Sequence, residues 1–373
     1  MGLELADIFR RYGPAYRQKY ADQILPSHRQ AMCAIEQCRT EALGGQVYAC
    51  PECGEVQYSY HSCRNRHCPK CQNDKAQEWL EAQHDLLLPV PYFMLTFTLP
   101  AALNEIVRSN QCLLYNLLFR VSAAATQRLA KDTRFVGGQI GMVGILHTWG
   151  RNLAYHPHIH YLIAAGGLAA DAQTLRSSGQ AWLPARQDFL LPVKALSKIF
   201  RGKFRQALQK TAFFAQIPSK VWQQDWVVHC KPVGNGRTAL KYLAPYIFRV
   251  AISNRRLVKL ENDQVTFRYR ATDTGEPKLC TLSAEAFIHR FLQHVLPKGF
   301  VKVRYFGFFA PGCRQRLAAL RQRLEQEYPE NLEKSEATPE PADSTPEPKL
   351  RCPSCGQPML FQRTIQPTGR CPP

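Results

Sequence analysis

The chain has 373 residues, enough for two or three domains with buried cores, and its 48 Lys and Arg against 29 Asp and Glu give a formal net charge of +19. That length excludes a small disulfide-stapled toxin, and that charge points to a polyanion, nucleic acid first, as the partner. Apolar stretches such as 162–170 fall far short of the roughly 20 residues that span a bilayer, and residues 1–30 lack the apolar core of a secretory signal. The expectation is therefore a cytoplasmic protein with no membrane partner, in a reducing compartment where its 14 cysteines read as metal ligands rather than a disulfide framework.

In chain order, apolar side chains at mixed three and four spacing over 5–21 and 28–43 predict two amphipathic helices before the break at Gly44 and Gly45. The cysteine-rich block follows, then a helix over 74–88 and a strand over 91–100, rich in aromatic and β-branched residues. Residues 104–132 read as helical. The apolar runs 136–149 and 156–164, separated by GRNLAY, read as an antiparallel hairpin. A basic helix over about 192–216, a strand over 225–233, a helix over 237–248 and a hairpin over 257–270 turning at Glu261 to Asp263 come next, with further helices over 282–296 and 312–328. Such an order predicts an α+β fold in which helices cover an antiparallel sheet.

Residues 333–349 contain four prolines and no large apolar side chain, so they cannot offset chain entropy and are expected to be a disordered linker. Beyond it, Cys352, Cys355 and Cys371 supply three candidate ligands, a half-formed zinc knuckle or a vestige. The expected division is an N-terminal helical zinc-binding, DNA-recognition domain (1–88), the sheet-bearing domain (89–310), a basic helix (311–332), the linker (333–349) and a short cysteine-containing tail (350–373).

Three constellations carry chemistry. Cys50-x2-Cys53-x14-Cys68-x2-Cys71 offers two knuckles of two thiolates each, suited to a closed tetrahedral Zn2+. His61, Cys63 and His67 between the knuckles, with Cys38 upstream, leave a ligand exchange or a second metal open. Arg64 and Arg66 flank this block as candidate phosphate contacts, joined downstream by Lys203, Arg249, Arg255 and Arg256, with Phe200, Phe204 and Phe248 interleaved as platforms for unpaired bases. Solvated helix faces are the alternative for such charge runs.

The second constellation is His156-Pro157-His158-Ile159-His160, whose period-two imidazoles project from one face of a strand. Pro157 donates no ladder hydrogen bond and belongs at the strand start, which leaves His158 and His160 as the pair inside the sheet. A catalytic divalent cation with incomplete protein ligation fits them, and His147 on the preceding strand is the candidate third ligand, provided the register does not turn it away. Hydrogen-bonded core histidines are the alternative.

Third, Tyr242-x3-Tyr246 places two phenols on one face of a helix, about 6 Å apart. Packed aromatics are the alternative, and Pro245 perturbs the helix between them. A phenol with a pKa near about 10 becomes a usable nucleophile toward a metal-polarised phosphate.

The segments CRTEALGG, SCRNRHCPKCQ, HTWGRNLAYHPHIHYLIAAGG, LKYLAPYIFRVAISNRRL and HVLPKGFVKVRYFG resemble the rolling-circle insertion-sequence transposases of the two-tyrosine HUH class, the IS91 type, over about residues 5–310. His158-Ile159-His160 matches the motif of two histidines flanking a hydrophobic residue. The resemblance implies an RRM-like HUH endonuclease sheet binding Mg2+ or Mn2+ behind a zinc-binding domain. It also implies cleavage and rejoining of single-stranded DNA at insertion-sequence ends and target, through a 5′-phosphotyrosine on Tyr242 or Tyr246. A histidine pair is softer than Mg2+ ordinarily prefers. No P-loop occurs, as expected where a covalent intermediate keeps the phosphoester energy. A non-enzymatic zinc-finger DNA-binding protein is the competing reading, and a water-using phosphodiesterase a third.

Overall fold

The computed structural model describes residues 2–70, 79–83, 86–169, 182–237, 240, 251–271, 274–328 and 350–369. Its helices are α1 (Leu5–Lys19), α2 (Pro26–Gln37), α3 (Asn104–Ser109), α4 (Gln111–Ala130), α5 (Val193–Leu208), α6 (Ala284–Leu292) and α7 (Arg314–Glu327). Its strands are β1 (Gly45–Ala49), β2 (Val56–Tyr60), β3 (Pro91–Thr98), β4 (Gly138–Trp149), β5 (Tyr155–Ala169), β6 (Trp182–Pro184), β7 (Val228–Asn235), β8 (Leu257–Glu261), β9 (Gln264–Arg270), β10 (Pro277–Ser283), β11 (Val303–Phe306) and β12 (Leu360–Ile365). The expected α+β class with antiparallel sheets is what the chain adopts. No helix among the described residues is long and apolar enough to cross a membrane.

The chain divides into two compact units, one formed by residues 1–74, 252–295 and 333–373, the other by 75–251 and 296–332. Composition suggested contiguous segments; the chain instead returns twice to its N-terminal part. The expected linker 333–349 lies outside the described residues, and of the expected helix 74–88, residues 79–83 are helical.

The second unit is built on an antiparallel sheet in the order β11-β4-β5-β3-β7, with β6 added beside β5. Both faces are covered, which is why β3 and β5 read as nearly unbroken apolar runs rather than as alternations. On one face Phe93, Leu95, Phe97, Ile159, Tyr161 and Ile163 meet the apolar stripes of α4 and α5. On the other, Met94, Val143, Ile145, Leu162 and Ala164 meet Leu317, Leu320 and Leu324 of α7. The basic helix expected as a separate segment is thus amphipathic, its three leucines at three and four spacing buried against the sheet.

Phe200 and Phe204 correct the sequence reading. Both are fully buried, edge-on to Trp226 at 5.1 and 5.3 Å, so their four-residue spacing marks the core-facing stripe of α5 and not a platform for bases.

In the first unit α1 packs on α2, burying Ile8, Phe9, Met32 and Ile35, with Arg17 paired to Glu36 at 2.6 Å. A meander β8-β9-β10 turns between β8 and β9 at Asn262 and Asp263, both at positive φ, as primed hairpin turns require. α6 follows, its N-cap Ser283 Oγ accepting from Ala286 N at 3.2 Å. Phe9 of α1 packs edge-on against Phe291 of α6 at 5.3 Å. A third sheet, β12-β1-β2, joins the chain's far end to its N-terminal hairpin.

Candidate functional site

The histidine site is positioned by the β4–β5 hairpin. Gly150 N donates to Ala154 O at 2.8 Å and Leu153 N to Gly150 O at 3.0 Å, a tight loop that holds Leu153 at φ 66°. It sets His147 directly opposite His158 and Ile145 opposite His160. Because Ile159 and Tyr161 point into the α4–α5 core, alternation sends His158 and His160 to the other face, where His147 joins them. The ligand atoms of His147, His158 and His160 all lie within 4.8 Å of one another. The expected trio therefore converges. His156, by contrast, is exposed, and its part is played by backbone: its carbonyl accepts from His158 Nδ1 at 2.6 Å.

Electrostatics put all three rings in the ligand form. Burial, reinforced by mutual repulsion of neighbouring imidazolium charges, lowers His147 well below the usual histidine value and His158 to about 3. Burial and the Lys231 charge lower His160 to about 4. Neutral imidazole offers a lone pair where imidazolium does not. Sequence reasoning missed Thr96 of β3, which pairs across the sheet with His160 and bonds His160 Nδ1 through Oγ1 at 2.8 Å. A threonine in a strand gives no sequence signal for that role. His229 of the edge strand β7 lies opposite Thr96 on the same face.

The tyrosines Tyr242 and Tyr246, with Arg249 and Phe248, lie outside the described residues. Of the other candidate DNA contacts, Arg64 and Arg255 are exposed and Lys203 is half-buried on α5, the helix covering the face opposite the histidines. Burial lowers Arg66 from its usual value. Arg256 is held by a 2.9 Å bond to Arg268 O and lies 5.7 Å over the Phe267 ring, which makes it part of the β8–β9 packing.

The cysteines do not converge as spacing suggested. Cys50 and Cys53 lie with Cys352 and Cys355, while Cys68 lies with Cys38 and Cys63, the thiols of each group within 4.8 Å of one another. Cys71 is outside the described residues. The reason is topological: β12 pairs with the free edge of β1 and carries the tail cysteines to the first knuckle.

Family models fall on both regions. The model described as "Putative transposase" (Y2_Tnp) matches residues 141–316, and the "Transposase zinc-binding domain" (Zn_Tnp_IS91) matches 8–99. A protein of Sinorhizobium fredii named "Putative transposase y4qJ" is 40% identical, with 96% of this chain and 94% of that protein covered. The "Transposase for insertion sequence element IS801" of Pseudomonas savastanoi pv. phaseolicola is 30% identical over 88% of this chain and 82% of its own length. No solved structure matches the chain. Two domain matches in the order zinc-binding then transposase, together with near full-length similarity to these two proteins, show that the chain belongs to the IS91-type transposases and carries their N-terminal zinc-binding domain.

Proposed function

We propose that this transposase nicks and rejoins single-stranded DNA at insertion-sequence ends by a rolling-circle-like route, through a 5′-phosphotyrosine on Tyr242 or Tyr246. The observation that supports this most is the convergence of three neutral imidazoles on one face of the sheet, at ligand spacing. His158 Nδ1–H donates to the His156 carbonyl, so its Nε2 lone pair is left for a cation; with Nδ1–H donating to Thr96 Oγ1, His160 would present its Nε2 likewise. His147, His158 and His160 together would hold Mg2+ or Mn2+, and three nitrogen donors suit Mn2+ better than the harder Mg2+. A cation held there would supply Lewis acidity toward the scissile phosphate.

The chain's own step is attack by a tyrosine oxygen on the scissile phosphorus. The phenol loses its proton, a P–O(Tyr) bond forms and the DNA 3′-oxygen leaves with a proton as a free hydroxyl. Attack by another 3′-hydroxyl reverses the step and releases the tyrosine, so no nucleotide triphosphate is consumed. The exposed Arg64 and Arg255 are suited to phosphate contacts, with Arg66, Lys203 and Arg249 as further candidates. Structural Zn2+ fits the two cysteine clusters, whose cysteines are not disulfide-bonded, whereas Cys33 is.

The test is incubation with labelled single-stranded DNA from insertion-sequence ends plus Mn2+, read on a denaturing gel. A protein–DNA adduct with a free 3′-hydroxyl product is expected. Nicks without adduct would indicate a phosphodiesterase, and binding without nicks a DNA-binding protein.

A further inference from the structure

The tail that looked incomplete in sequence carries the same short signature as the N-terminal knuckle: Cys50-Pro-Glu-Cys-Gly-Glu and Cys352-Pro-Ser-Cys-Gly-Gln. Their backbones match as closely as their sequences. Cys50 N donates to Glu55 O and Cys352 N to Gln357 O, each at 2.8 Å; Gly54 N donates to Cys50 O at 3.0 Å and Gly356 N to Cys352 O at 2.9 Å. Gly54 and Gly356 sit at φ 73° and 75°, where a side chain would be strained, so the glycine after each second cysteine is a geometric requirement. In both knuckles the first cysteine is buried and the second exposed.

The two knuckles face each other. Cys50 Sγ lies 3.4 Å from Cys355 Sγ, and Cys53 Sγ 3.5 Å from Cys352 Sγ, too far for S–S bonds of about 2.05 Å. Sulfurs bound tetrahedrally at about 2.3 Å from one Zn2+ are roughly 3.8 Å apart, and the four thiols here fall within 4.8 Å of one another. β1 is paired on both edges beneath them: with β2 from Gly45↔Tyr60 to Ala49↔Val56, and with β12 from Gly45↔Ile365 to Ala49↔Leu360 across a bulge between Val47 and Tyr48. Tyr48 and Phe361 pack edge-on at 6.0 Å beside the knuckles.

We propose that Cys50, Cys53, Cys352 and Cys355 hold one Zn2+ in a closed four-thiolate site, a zinc ribbon assembled from the two ends of the chain. The zinc-binding family match stops at residue 99, so half of this site comes from a segment beyond it. Cys38, Cys63 and Cys68 form a separate cluster, and the ribbon stands independently of the nicking reading.

The first test is zinc content of the purified full chain. The Cys352→Ser/Cys355→Ser variant should lose one equivalent of zinc per chain, and in the Co2+-substituted protein it should lose one share of the thiolate-to-metal absorption. Unchanged zinc content would overturn the proposal. The second test uses wild-type protein and survives a variant that fails to fold. Cys53, Cys355 and Cys112 are all exposed, so a thiol-alkylating reagent should modify Cys112 at once while Cys53 and Cys355 stay unmodified until a chelator is added, then react together. Labelling of Cys53 and Cys355 as fast as Cys112 before chelation would also overturn it.

Discussion

His147 and His158 stand directly opposite each other across β4 and β5, ring centroids 5.2 Å apart and perpendicular, although 11 residues separate them in the chain. The pairing depends on the five-residue loop from Gly150 to Ala154, since a one-residue slip would turn one imidazole to the face covered by α4 and α5. His147→Ala and His160→Ala are expected to lower Mn2+-dependent nicking by more than about 100-fold, whereas His156→Ala, which keeps the backbone carbonyl that His158 uses, should retain it. Nicking rates of the three variants, with Mn2+ binding followed by its paramagnetic signal, check this.

Thr96 acts through His160. Thr96→Val keeps shape and removes the hydroxyl, and is expected to weaken Mn2+ binding or nicking by about 10- to 100-fold, with Thr96→Ser restoring most of it. Equal Mn2+ affinity in the valine variant would show that the 2.8 Å bond has no orienting role.

For the tyrosines the expected outcome is an adduct that mass spectrometry maps to Tyr242 or Tyr246 and that disappears in the Tyr242→Phe/Tyr246→Phe variant. Phe keeps the ring, so loss of the adduct with DNA affinity retained reports the hydroxyl. An adduct that persists moves the nucleophile elsewhere.

Phe200 separates a core role from a nucleic-acid role. Its ring is fully buried between Phe97, Phe204 and Trp226, so Phe200→Ala should cost about 3–5 kcal/mol of stability in thermal or denaturant unfolding. Phe200→Leu should leave affinity for single-stranded DNA unchanged.

His28 gives a pH signature. Its Nε2 is buried with no hydrogen-bond partner among the described residues; burial, with a smaller effect from the nearby His289 charge, lowers it from 6.5 to about 4. The folded state then binds fewer protons than the unfolded one between these values, so this contribution is complete above about pH 6.5 and lost as pH falls toward 4. The loss is about 3–4 kcal/mol at most. His28→Gln should flatten the stability profile over that interval relative to wild type, and identical profiles would refute the assignment.

What the sequence made legible was local. Alternation in His156 to His160 placed the imidazoles, and the GRNLAY break placed the turn, because both act within one hairpin. The β8–β9 turn at Asn262 and Asp263 was legible for the same reason. What was not legible is set by long-range pairing. Nothing in Leu360–Ile365 announces that it will bond to Gly45–Ala49, so the nearest CxxC looked like the natural mate of Cys50 and Cys53. The repeated Cys-Pro-x-Cys-Gly was the available signal. Thr96 was hidden because a strand hydroxyl has no pattern of its own. Phe200 and Phe204 were readable as a core stripe, and their basic neighbours drew attention to charge instead.

The pairing of β1 with β12 also has a consequence in time. About 300 residues separate the two knuckles, which at roughly 5–20 residues per second amounts to about 15–60 s of translation. Through that interval β1 has one unpaired edge and Cys50 and Cys53 supply only two of the four thiols, while the β4–β5 hairpin can already form. A polypeptide ended early by a frameshift or premature stop would keep its histidine hairpin yet leave β1 unpaired on one side, a species marked for aggregation or proteolysis. In this architecture the last of the described strands completes the first sheet begun.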